Sequence, residues 1–123
     1  MMVRPEATNP ENSSTDAIVV SNFSDLTSGS GPAYFFRFVE AMVDGAKALG
    51  LSEADATTLT VQTIVGAAKL LDESGKSATT LRENVTSPNG TTAAALASFE
   101  SHQLGDVVAQ AMKAARDRSQ ELA

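Results

Sequence analysis

The segment Asn84-Val85-Thr86-Ser87-Pro88-Asn89-Gly90-Thr91-Thr92, followed at once by Ala93-Ala94-Ala95-Leu96, gathers the residues of this chain whose types and spacing could do chemistry. Proline and Asn-Gly punctuate the backbone, the two threonines can cap whatever follows, and the alanines favour helix. The spacing therefore predicts a tight loop that delivers a helix N-terminus. Such an end presents N–H groups without intrahelical acceptors, together with the positive end of the helix dipole, and both favour a small anion.

The elements that must hold this loop are helical throughout. A helix is expected over residues 32–49, where Pro32 suits the first turn and Tyr34, Phe35, Phe36, Phe38, Val39, Met42, Val43, Ala46 and Leu49 cover most of the circumference. Gly50 ends it, and Ser52-Glu53-Ala54-Asp55 resembles a capping box opening a second helix that runs to about residue 71. From Ala56 through Ala68 that helix carries no charged residue, a pattern interrupted by Thr and Gln that suits a buried helix rather than lipid. Gly75 closes it, and Ser77 can cap a short third helix through Leu81 and Arg82. A fourth helix is expected over about 92–101. The last, over about 103–122, has Leu104, Val107, Val108, Ala111, Met112 and Ala115 along one side.

Before residue 28 the composition changes. Residues 1–15 are rich in Pro, Asn, Ser, Thr and Glu with almost nothing to bury, so 1–27 reads as a largely flexible leader, and 28–123 as a single domain. The short apolar run at residues 17–20 fits a strand remnant or a helix start equally well.

Charge and cysteine content narrow the function classes. A net charge of -6 argues against nucleic acid or an anionic membrane as partner, since both need clustered Lys and Arg. With no cysteine there is no disulfide framework, thiolate nucleophile or zinc ribbon. No stretch is apolar for long enough to span a bilayer and no signal peptide pattern opens the chain, so a soluble, cytoplasmic protein is expected. The acidic residues Glu40, Asp44, Asp55, Asp72 and Glu73 lack the Glu-x-x-His spacing of a helical metal site and read as a solvated face, so no metal is expected. His102, the single histidine, falls at a helix junction with no alternative general base nearby in sequence, and no catalytic role is expected for it.

Five helices, two of them apolar on too many faces for so small a domain, leave more apolar surface than one chain can hide. The expectation is an all-α domain of about five helices forming an interlocked homodimer, or a higher homo-oligomer.

The blocks Ser28-Gly29-Ser30-Gly31-Pro32-Ala33-Tyr34-Phe35, Gln62-Thr63 with Gly66-Ala67-Ala68-Lys69-Leu70, Leu81-Arg82, the loop 84–92 and the ending Arg118-Ser119-Gln120-Glu121-Leu122 follow one another in order. In that order they resemble the C-terminal dimerisation domain of pyrroline-5-carboxylate reductase, over about residues 28–122. Members of that family pair an N-terminal Rossmann domain, which binds NADPH or NADH, with an all-helical domain that interlocks two subunits. This chain resembles only the second. Gly29-Ser30-Gly31 is followed by Pro32 and no strand, turn and helix of a dinucleotide site surrounds it, so no cofactor-binding residue is expected.

The resemblance implies hydride transfer from the nicotinamide to the C=N carbon of 1-pyrroline-5-carboxylate, giving L-proline, with the substrate held at the dimer interface by the loop matching Val85 to Thr92. By position, Val85 would line the substrate, Ser87 and the N–H groups of Gly90 and Thr91 would receive its carboxylate, and Thr92, the candidate catalytic residue, would place its hydroxyl near the ring nitrogen. Asn89 stands where the family usually has a second glycine, a position that Asn tolerates better than other side chains. Ala78 stands where a proline is common.

Two functions are open at this stage. The chain is either the dimerisation and substrate-binding half of a pyrroline-5-carboxylate reductase, inactive alone and catalytic only when joined to a Rossmann half in the same or another polypeptide, or a non-catalytic helical interaction module from a truncated gene.

Overall fold

A computed structural model of the protein describes residues 30–122. The expected leader, the apolar run at 17–20, Ser28 and Gly29 lie outside the described residues. Five helices follow one another: α1 over Gly31–Ala48, α2 over Glu53–Glu73, α3 over Ala78–Asn84, α4 over Thr91–Ser101 and α5 over Leu104–Leu122. All described elements are helical, and each expected helix is present to within two residues at either end.

The punctuation between helices is local chemistry. Gly50, at φ 112°, donates its N–H to the Lys47 carbonyl at 3.0 Å while Leu51 N–H reaches the Ala46 carbonyl at 3.1 Å, which closes α1 in a Schellman motif. Ser52 caps α2, its hydroxyl accepting from Asp55 N–H at 3.2 Å. Gly75, at φ 72°, reverses the chain after Ser74. Ser77 caps α3 by accepting from Thr80 N–H at 3.1 Å, so the start of α3 needs no proline where Ala78 stands.

The described chain falls into two units, one spanning Val39–Gly105 and the other joining the segment that ends at Phe38 to the segment that begins at Asp106. In the first unit, α2 turns inward the stripe Ala56, Thr60, Ile64 and Ala68, residues one helical turn apart; Ala56 and Thr60 are buried and the other two half-buried. Its larger apolar residues Leu59, Val61, Val65, Leu70 and Leu71 are exposed, Val65 to 60%. In the second unit, Ser30 Oγ and Tyr34 Oη lie 3.1 Å apart and Tyr34 is half-buried, while Phe35 and Phe36 are exposed, Phe36 to 69%.

In the single chain most of α2 is therefore exposed. Among the described residues Ala56 is the one fully buried apolar side chain, and no large side chain is fully buried. A buried Leu, Val or Phe contributes about 1.5–3 kcal/mol relative to leaving it in water, and ordering one backbone residue costs about 1–2 kcal/mol. A chain that keeps its large apolar residues outside has too little burial of its own to offset that ordering.

Candidate functional site

The loop between α3 and α4 is built in two steps. As α3 ends at Val85, Thr86 turns back onto the helix: its N–H donates to the Glu83 carbonyl at 3.1 Å and its hydroxyl to the Arg82 carbonyl at 2.6 Å. Both bonds fall on carbonyls of the last turn of α3, where the Val85 N–H also reaches the Arg82 carbonyl at 3.3 Å. Ser87, Pro88, Asn89 and Gly90 then form a β-turn closed by the Gly90 N–H on the Ser87 carbonyl oxygen at 3.1 Å. Proline at the second position and a residue at φ 60° at the third, here Asn89, are the features of a type II turn. Asn89 thus adopts the left-handed conformation that a glycine would adopt freely, and the turn closes without one.

The turn sets the start of α4 differently from the sequence expectation. Gly90, not a threonine, is the N-cap, extended at φ -86° and ψ -176° and contributing no side-chain cap. Thr91 and Thr92 are already the first two helical residues, so neither caps α4. The reason lies in the turn, whose closure leaves Gly90 as the residue that enters the helix, with its carbonyl accepting from Ala94 N–H at 3.1 Å.

This arrangement also changes the donor set. The Gly90 N–H is engaged in the turn, so the expected pair of Gly90 and Thr91 does not stand free together. Thr91, Thr92 and Ala93 make up the first turn of α4, where the backbone N–H groups have no intrahelical acceptor. Ser87 is exposed, Thr92 is half-buried, and Val85 projects as an exposed apolar residue at the end of α3, 64% accessible. The five residues singled out in the sequence, Val85, Ser87, Gly90, Thr91 and Thr92, occupy one loop and the first turn of one helix. A Cβ on Gly90 would meet Ser87 Oγ at 3.0 Å and the Ser87 carbonyl oxygen at 3.2 Å, so glycine here leaves room for the serine hydroxyl.

Sequence reasoning gave no role to Thr86, which ties the loop to α3, nor to Ala93, which lies in the first turn of α4. A threonine four residues after Arg82 at a helix end is a usable signal for the first. Nothing in an alanine side chain marks the second.

A groove of about 390 Å³ runs beside the loop, lined by Arg82, Glu83, Thr86, Leu96, Ala97 and Glu100. Its two glutamates oppose an incoming carboxylate, so the anion-ready surface is the helix end and not the groove. His102 is the C-cap residue of α4, its Nδ1 donating to the Ser98 carbonyl at 2.8 Å with the Ser101 hydroxyl 3.3 Å away, so that nitrogen is engaged in closing the helix end. Among the described residues no group of three or more His, Cys, Asp and Glu side chains could hold a metal ion, and no helix is long and apolar enough to cross a membrane.

Described residues that are all-α, with a vestigial core, exposed large apolar side chains and a helix N-terminus without a side-chain cap at the loop, have the features of a helical association domain. Residues 22–122 match the family described as pyrroline-5-carboxylate reductase dimerisation, and the chain belongs to that family. Membership implies a homo-oligomer. The chain is 51% identical over 96 residues to the pyrroline-5-carboxylate reductase of Pseudomonas aeruginosa, covering 78% of this chain and 35% of that protein. Among solved structures it resembles the Coxiella burnetii pyrroline-5-carboxylate reductase, with a TM-score of 0.78 and 43% identity, over 80% of this chain and 37% of that one. It also resembles the Plasmodium falciparum pyrroline carboxylate reductase crystallised with NADP bound, with a TM-score of 0.79 and 29% identity, over 92% and 52% of the two chains. The chain spans about a third of the length of the curated relatives it matches.

Proposed function

We infer that the chain is the dimerisation and substrate-binding half of a pyrroline-5-carboxylate reductase, acting in proline biosynthesis. In this reading two copies interlock through the apolar residues that a single chain leaves exposed, above all those of α2, and the loop 85–92 receives 1-pyrroline-5-carboxylate. The observation that supports the substrate half is the closed turn, which engages the Gly90 N–H on the Ser87 carbonyl and places Thr91, Thr92 and Ala93 in the first turn of α4, where N–H groups have no intrahelical acceptor.

The substrate carboxylate accepts from the Thr91 and Thr92 N–H groups, aided by the helix dipole and the Ser87 hydroxyl. Because these donors are fixed by the turn, little reorganisation accompanies binding. Thr92 holds its hydroxyl toward the ring nitrogen as a neutral donor and acceptor, and Val85 covers the apolar ring edge. None of these groups supplies a hydride.

A nicotinamide dinucleotide does not fit the described residues: no strand leads into a glycine-rich turn and helix, the unit that cradles its pyrophosphate. In this reading its binding falls to a Rossmann half in the same or another polypeptide. The test is a pair of assays. The purified chain alone yields no NADPH-dependent proline, and the same chain joined to a family Rossmann domain does; turnover by the chain alone would overturn the division of labour.

A further inference from the structure

Five asparagines occur in the sequence, and Asn89 alone is followed by glycine. It is exposed, and the residue after it has no Cβ to shield the backbone nitrogen. We propose that Asn89 is a site of spontaneous deamidation, and that the product closes the loop to carboxylates. The second half rests on the substrate-loop reading above; the covalent step does not.

The reaction needs only water. The Gly90 backbone nitrogen gives up its proton and attacks Asn89 Cγ; the N–Cγ bond forms, the Cγ–Nδ2 bond breaks, and ammonia leaves with the proton. The resulting five-membered imide then takes up one water. Hydrolysis at Cγ leaves an aspartate with the original backbone, and hydrolysis at the backbone carbonyl leaves an isoaspartate whose chain runs through Cγ. Over both steps one water enters and one ammonia departs.

The turn governs the rate. In the closed turn the Gly90 N–H is held on the Ser87 carbonyl at 3.1 Å and Asn89 sits at φ 60°, so the attacking nitrogen is protected while the turn is shut. Deamidation proceeds from the opened turn, and whatever loosens the turn accelerates it. Thr86, which fastens the loop to the Arg82 carbonyl at 2.6 Å, is the residue whose loss should loosen it most directly.

The product alters the site in two ways. A new carboxylate appears immediately before the N-cap of α4, where it interacts favourably with the helix end and repels a second anion. In the isoaspartate form an added backbone methylene also lengthens the four-residue turn, so the Gly90 N–H and Ser87 carbonyl no longer meet in the same geometry.

The experiment ages the purified full chain at mildly alkaline and mildly acidic pH. Intact mass should rise by the difference between NH and O, peptide mapping should place the change at Asn89, and isoaspartyl methyltransferase should label the aged chain. The change should be faster at alkaline pH, several-fold faster in Thr86→Val, and absent in Asn89→Gly. An aged chain whose Asn89 stays intact, under conditions in which a peptide of residues 84–95 converts, overturns the covalent step. For the consequence, proline is titrated against the amide resonances of Thr91, Thr92 and Ala93. Asn89→Asp should weaken the response several-fold relative to Asn89→Gly. An unchanged response in Asn89→Asp overturns the inhibitory role, whereas native amides indifferent to proline overturn the substrate reading and the inhibitory role with it, leaving the mass result to judge the chemistry.

Discussion

The Thr86 hydroxyl donates to the Arg82 carbonyl oxygen at 2.6 Å, a bond that ties the loop to the last turn of α3 before the chain reverses at Pro88. Together with the Thr86 N–H on the Glu83 carbonyl, it makes Thr86 the hinge of the candidate site.

Removing that hydroxyl should therefore be felt at Gly90. Thr86→Val is expected to cost about 1 kcal/mol, the net worth of one intramolecular hydrogen bond, and to speed hydrogen exchange of the Gly90 amide. Thr86→Ser, which keeps the donor, should restore most of the protection. Amide exchange followed by NMR checks both variants.

Gly90 itself is constrained by contact and not by dihedral angle, since its φ of -86° is open to any residue. In Gly90→Ala the new Cβ would press on Ser87 Oγ at 3.0 Å and on the Ser87 carbonyl at 3.2 Å. The serine must swing away, and alanine is a poorer N-cap than glycine. A loss of about 1 kcal/mol is expected in urea unfolding at fixed protein concentration, with altered Ser87 resonances.

Asn89 supplies a contrasting case, because there the dihedral angle decides. At φ 60° a β-branched side chain is strained, so Asn89→Val should destabilise by about 1–2 kcal/mol while Asn89→Gly is neutral or stabilising. Thermal unfolding of the two variants side by side distinguishes them.

On α5, hydrogen bonds from Lys113 at 2.9 Å and Arg116 at 3.1 Å hold the Asp117 carboxyl below the usual carboxylate range. A carboxyl whose value is depressed by folding stabilises the folded state above its unfolded value, and that contribution is lost as the pH falls through the folded one. The pair is exposed, so the effect is small and weakened by salt. Asp117→Asn should flatten the acid side of the stability profile at low salt and leave the neutral side little changed.

Val65 tests the association surface. It is 60% exposed on α2 in the single chain, and burying such a side chain against a partner is worth about 1.5–3 kcal/mol. Val65→Glu should raise the dimer dissociation constant by about tenfold or more, each tenfold corresponding to about 1.4 kcal/mol. Sedimentation at several concentrations measures it.

The parts of the fold that were legible in the sequence are those fixed by neighbours along the chain. Ser52 and Ser77 announce two helix starts because a hydroxyl accepting from the third following N–H is a purely local bond, and Gly50 and Gly75 announce two ends because each takes a positive φ. The start of α4 was legible only in part. The threonines look like caps, but closure of the turn on Ser87 hands the cap to Gly90 and leaves Thr91 and Thr92 inside the helix. The junction of α4 and α5 carries no such signal, since Gln103 takes φ 59° although glutamine has no preference for it. The uncharged run of α2 shows that something must cover it, but periodicity does not distinguish a neighbouring helix from a second chain.

The most direct test of the central claim, that this is a dimerisation domain whose core is completed by a second copy, is the molar mass of the native chain in solution. Light scattering at micromolar concentration should give a dimer or a larger homo-oligomer. A folded, stable monomer under those conditions would contradict the account.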